Sequence, residues 1–191
     1  SWWLMVTVFA LAIILSKKIS IIFFAFLSYM SFKEFISLIN TRKSDRQVIF
    51  LAYLTIPVQY YFIHIEWYGM FIIFIPVYMF LMLPARMALM EDTRGYLASA
   101  AIHHWGLMTM VFCLSHMSYF LVLPESSHAP AGGAGYVLFL VFLTQINDVF
   151  QYIWGKLLGQ HKVLPKVSPN KTWEGFAGGV ISTVILSYLL A

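Results

Sequence analysis

The sequence predicts an all-α, polytopic integral membrane bundle of about seven hydrophobic segments, on three observations. Of the 191 residues, 61% are apolar and 10% charged, with a mean hydropathy of +0.80, far from the balance of soluble domains. Apolar runs of the length needed to cross ~30 Å of hydrocarbon recur between short polar breaks. Lys and Arg gather in alternate breaks, the bias that orients membrane proteins. The formal charge of +4 therefore sits in loops rather than in a basic tract, and no nucleic-acid partner is expected. Cys113 stands alone, so no intrachain disulfide forms, and its apolar surroundings make it a small packed residue.

The runs lie at 2–16, 19–39, 47–65, 67–83, 104–123, 135–154 and 173–191, each read as helical by hydropathy. Trp2, Trp3, Trp67 and Trp105 fall at run ends, where an aromatic belt meets the membrane interface. Arg42, Lys43 and Arg46 follow the second run, Arg86 and Arg94 the fourth, and Lys156, Lys162, Lys166 and Lys171 the sixth. The 40–46, 84–103 and 155–172 segments are thus expected on the cytoplasmic side and the 124–134 loop outside. Lys17-Lys18 leaves two placements for the first run, spanning the bilayer or lying in its interface. Residues 84–103 are too polar to span and suit either an amphipathic surface helix or a solvated loop. The expected organisation is one transmembrane domain over 1–191. An opening at Ser1 and an end inside the 173–191 run predict a chain trimmed from a longer one.

Chemistry concentrates between Asn147 and Gly179. Thr144, Asn147, Asp148 and Gln151 share one helical face at the end of the sixth run. Polar glue between helices accounts for three of them. Asp148 needs more, because a carboxylate in an apolar wall must take up a proton or find a cation, which a metal ion or a lysine supplies. Gly155 and Gly159 would let another backbone approach. Beyond them stands Ser168-Pro169-Asn170-Lys171-Thr172-Trp173-Glu174-Gly175. Ser168 or Thr172 caps a helix start, and free amides there, with Lys171 near, make a seat for phosphate. Lys156, Lys162 and Lys166 add positive field, although the orientation bias alone explains the last two. Glu174 is either a second acid for the site or a helix-dipole partner. Metal beside phosphate points to phosphoryl or nucleotidyl transfer, with magnesium held through one or two carboxylates, Asp148 first. Elsewhere, His116 is expected as a buried neutral imidazole bonded to a neighbouring helix. His103 and His104 point apart and share no metal.

Asn147-Asp148, Tyr152, Gly155-Lys156, Gly159, Lys162 and the string Ser168 to Phe176 with Gly178-Gly179 together resemble the phosphatidate cytidylyltransferases, or CDP-diacylglycerol synthases. The resemblance is strong over about 33 residues. It implies a magnesium-dependent enzyme of phospholipid biosynthesis in the bacterial inner membrane or endoplasmic reticulum, usually a homodimer, with magnesium alone or with a second cation. Phosphatidate attacks the α-phosphorus of CTP to give CDP-diacylglycerol and pyrophosphate. On that likeness Asp148 binds metal and acts in catalysis with Lys171, in a cytoplasmic active-site loop over 155–172. Ser168, Asn170 and Thr172 hold phosphate groups, with Lys156 as a helper and Glu174 among the substrate contacts. Val149, Phe150 and Gln151 stand where the family has small residues and Ala, which implies a reshaped pocket. The family's later His-Gly-Gly-x-x-Asp-Arg-x-Asp signature does not occur in these residues, so the missing carboxylates come from a longer chain or a partner chain. Two rivals share parts of the pattern: a CTP-dependent kinase of polyprenol or phytol type, and a transporter or non-catalytic membrane scaffold. Products separate the first, and a requirement for CTP separates the second.

Overall fold

A computed structural model describes residues 9, 16–41, 45–89, 95–123 and 132–190. The chain is a polytopic helical membrane protein. Among the described residues, five helices are long and apolar enough to cross a bilayer. They are α1 (Lys17–Ser37), α3 (Tyr68–Ala88), α4 (Tyr96–Phe120), α5 (Gly132–Leu158) and α6 (Trp173–Leu190). Helix α2 (Arg46–His64) is of similar length, but Gln47, Gln59 and three tyrosines dilute its apolar content. The described residues therefore do not confirm the sequence's count of seven. The expected first run and most of the 124–134 loop lie outside the described residues, as do Arg42, Lys43 and Arg94.

Backbone contacts divide the chain into residues 1–134 and 135–191. In the first unit α1 to α4 bury an apolar core that includes Phe24, Phe32, Ile63, Phe71, Leu83 and Val111. Several polar groups within it are paired, whereas Gln59 Oε1, His103 Nε2, His104 Nδ1 and Ser118 Oγ are buried without a hydrogen-bond partner among the described residues. Ser28 and Tyr60 share a 2.7 Å hydrogen bond between α1 and α2. Helix α3 carries a π-helical stretch at Phe74–Met79, around Pro76, where a missing N–H and the ring disturb the regular ladder. In the turn before it, the Phe71 carbonyl accepts from Gln59 Nε2 at 3.0 Å, and the same amide reaches Ser115 Oγ at 3.3 Å.

Within 84–103, the described residues continue two long helices and form no separate surface helix. Helix α3 runs on to Ala88 and α4 begins at Tyr96, behind Gly95 at φ 61°, a left-handed conformation that glycine adopts without strain. Arg86 ends its side chain on Gln47 Oε1, a way for a charge near a helix end to extend the helix past its apolar run. His116 is half-buried and bonds through Nδ1 to Phe112 O of its own helix at 2.8 Å, not to a neighbour. Its ring also packs on Phe71 and Phe112. His103 is buried with Nδ1 on Ser99 O, whereas the His104 ring meets Phe80, so the two histidines do point apart.

In the second unit α5 leads into a short antiparallel hairpin, β1 (Lys162–Leu164) and β2 (Ser168–Thr172), and then into α6. The 155–172 segment is thus helical to Leu158 and paired from Lys162, not irregular throughout. Glycines let α5 and α6 touch backbone to backbone. A Cβ on Gly175 would stand 2.8 Å from Gln151 O and 2.9 Å from Gly155 Cα. Gly178 receives the Trp154 ring, and Gly179 the Gln151 side chain. Above that contact Trp154 Nε1 donates to Ser182 Oγ at 2.9 Å and Thr183 Oγ1 to Asn147 Oδ1 at 3.2 Å, the use of small and polar residues expected where helices pack without a hydrophobic drive.

Candidate active site

The polar stripe of α5 divides its labour. Thr144 Oγ1 bonds back to Val141 O, and Asn147 is held by Thr183. Asp148, one residue on, is exposed and faces a cleft of about 500 Å³. The opposite wall is β2: Ser168, Asn170, Lys171 and Thr172 line the same cleft. Five of the seven sequence-predicted site residues therefore meet around one space. Gln151, Tyr152, Val163, Gly175 and Phe176 complete it. Val163 carried no functional signal in the sequence, because an apolar wall residue looks like any membrane-facing one, and Phe176 entered only as the end of the Ser168 to Phe176 string.

Local chemistry explains why the wall stands where it does. Thr172 is buried and accepts the Gly175 N–H on Oγ1 at 3.2 Å, so it caps α6, satisfying one of the amides a helix start leaves free. Ser168, the other capping candidate, lies in β2 instead. Room for Thr172 comes from Gly159, where a Cβ would meet its Oγ1 at 2.7 Å and Cγ2 at 2.8 Å. Gly155 admits both Gly175 and Thr172. Gly155 on α5 and Gly159 just past its end thus receive a capping side chain as well as a backbone.

The start of α6 differs from the expectation of free helix amides. Trp173 N donates to His161 O at 2.9 Å and Gly175 N is capped by Thr172. Positive character in the cleft is left to Lys171, with Asn170 and Ser168 as neutral partners.

Two predicted residues stand outside the lining. Lys156 places its ammonium 5.8 Å from the centroid of the Tyr152 ring, a cation–π contact behind a cleft residue. Glu174 turns to the hairpin's root, where its carboxylate accepts from Gln160 N at 3.1 Å and His161 N at 3.2 Å and meets His161 Nδ1 at 2.5 Å. Among the described residues no group of three or more His, Cys, Asp or Glu is placed to hold a metal ion. Asp148 is the carboxylate that the lining of the cleft offers.

The chain is thus a helical membrane protein in which an acidic side chain faces a lysine-bearing hairpin across an open cleft. Residues 1–191 match the Cytidylyltransferase family along their whole length, and the chain belongs to that family. It is 38% identical over 190 residues to "Uncharacterized protein YnbB" of Escherichia coli strain K12, a match covering all of this chain and 61% of that protein. It is 36% identical over 92 residues to the phosphatidate cytidylyltransferase of Staphylococcus saprophyticus, covering 46% of this chain and 34% of the enzyme. The Staphylococcus aureus (strain COL) phosphatidate cytidylyltransferase is 33% identical over 88 residues, 44% of this chain and 33% of its own length. The chain therefore spans only part of the curated relatives it matches. No solved structure matches it.

Proposed function

We propose that the chain forms part of a magnesium-dependent CTP:phosphatidate cytidylyltransferase, condensing CTP with phosphatidate to CDP-diacylglycerol and pyrophosphate in phospholipid biosynthesis. The observation that carries this reading is the shared cleft of Asp148 and Lys171 in a chain matched throughout by the cytidylyltransferases. In the reaction a phosphatidate oxygen forms a bond to the α-phosphorus of CTP while the bond to the bridging oxygen of pyrophosphate breaks. Positioning and charge neutralisation do most of the work in such transfers. Lys171 balances negative charge on the phosphates, and Asn170 and Ser168 donate hydrogen bonds that fix their orientation. Asp148 is the protein ligand for magnesium, which supplies Lewis-acid neutralisation of phosphate oxygens when bound. Thr172 serves as the cap that holds β2 to α6, and Tyr152, backed by Lys156, closes the cleft's α5 side. The active-site hairpin faces the cytosol, where the lysines of 156–171 fit the orientation bias and CTP is available. The lipid comes from the bilayer, and a second copy of the chain completes a homodimer.

The test is product analysis with the full-length protein in lipid nanodiscs, CTP labelled at the α-phosphorus and phosphatidate. Label in a CDP-lipid, with pyrophosphate released, supports the reading. Unlabelled phospholipid with labelled CDP would identify a lipid kinase, and no CTP turnover or binding would favour a transporter or scaffold.

A further inference from the structure

We propose that Glu174 is a positioning residue, a clasp that closes the root of the hairpin and so sets Lys171 against the cleft; the inference rests on reading that cleft as the phosphate site. An acid next to a phosphate-handling lysine invites assignment as a metal ligand or a substrate contact. The geometry points elsewhere. Both carboxylate oxygens are already engaged: Oε2 accepts from Gln160 N and His161 N, and Oε1 accepts from His161 N at 3.3 Å and meets His161 Nδ1 at 2.5 Å. A carboxylate offers about four acceptor sites, and three donors of one dipeptide, the Gln160 and His161 amides and the His161 ring nitrogen, occupy both of its oxygens. Glu174 is also absent from the cleft lining.

What the clasp holds is otherwise weakly held. The hairpin pairs three residues with five and its register is interrupted between Lys162 and Leu164. Leu164 is 55% and Val167 80% exposed, so no core pins the turn. A lone hairpin of this size is marginal in water. The His161 side chain is 77% exposed, and its described polar contact is with Glu174. A second strap runs the opposite way, from Trp173 N to His161 O. Residues 160–161 are thus tied to 173–174 in both directions, at the end of the hairpin where β2 delivers Asn170 and Lys171. Releasing the carboxylate frees β1 at its root and loosens β2 with it.

The experiment uses full-length protein in nanodiscs and the variants Glu174→Gln, Glu174→Asp and His161→Asn. Amide hydrogen exchange over residues 160–172 is read without substrate; KM for CTP, kcat and the magnesium midpoint are read with it. Glu174→Gln is expected to speed exchange at Gln160 and His161 about tenfold or more and to raise KM for CTP by about tenfold, from the loss of charge-assisted bonds. The change in kcat is smaller, and the magnesium midpoint stays put. Glu174→Asp restores part of the protection. His161→Asn, which leaves the backbone amides on the carboxylate, moves the same readouts less and guards against a Glu174 variant that fails to fold. Unchanged exchange with a displaced magnesium midpoint would overturn the clasp and make Glu174 a metal ligand. Faster exchange in a protein that binds no CTP would keep the clasp and remove the reading of the cleft.

Discussion

Replacing Gly175 by Ala probes the contact on which the cleft is built. The added Cβ would lie 2.9 Å from Gly155 Cα and 2.8 Å from Gln151 O, and both neighbours are backbone. Restoring the usual carbon separation of about 3.5 Å requires α5 and α6 to part by roughly 0.6 Å. Overpacking of this kind costs about 1–3 kcal/mol, and the better helix propensity of Ala returns about 1 kcal/mol. A net loss of up to about 2 kcal/mol is expected, read as a lower thermal midpoint in detergent. Gly155→Ala makes a graded control: its nearest neighbour is the Thr172 hydroxyl at 3.2 Å, with Gly175 Cα at 3.7 Å, so its cost should fall near zero. Gly69→Ala, with Trp67 Nε1 alone within reach at 3.7 Å, should be neutral or stabilising. Because parting the helices also moves Asp148 away from β2, Gly175→Ala should lower CTP affinity more than its stability loss alone suggests. Equal midpoints and equal CTP affinity for Gly175→Ala and wild type would refute the close backbone approach.

Other consequences are sharper in direction than in size. Thr172→Val keeps the methyl that fills the space at Gly159 but loses the cap, so a destabilisation of about 1 kcal/mol is expected in thermal unfolding. Gln59→Leu leaves the buried Phe71 carbonyl without this amide donor, and should cost about 1–3 kcal/mol in the same assay. Trp154→Phe removes the bond to Ser182 while keeping a ring over Gly178, for a loss of about 0.5–1.5 kcal/mol. Lys171→Ala should raise KM for CTP at least tenfold without unfolding the protein, since the side chain is exposed and carries charge rather than packing.

Much of the architecture was legible because hydrocarbon leaves few choices for a backbone. The 135–154 and 173–191 runs became α5 and α6, and the polar stripe at the end of the first led to Asp148. The hairpin was not legible. Residues 162–172 are polar, contain two prolines and lack alternation, and their pairing depends on Glu174 and Trp173 closing the root from the next helix. The same tertiary closure places the Glu174 carboxylate on Gln160 and His161, and the buried fit of Thr172 under Gly159 chose between two capping candidates that sequence left equal. Residues 84–103 misled for a related reason. Arg86 reads as a loop charge, yet by reaching Gln47 it allows α3 to continue past its apolar run.

Calorimetric binding of CTP to the full-length protein, with and without magnesium, tests the shared cleft most directly when wild type is set beside Asp148→Asn and Lys171→Ala. The cleft predicts that Asp148→Asn loses the magnesium-dependent part of binding, that Lys171→Ala weakens binding with or without the ion, and that both variants keep the wild-type thermal midpoint. Magnesium-dependent binding of equal strength in wild type and Asp148→Asn would contradict it.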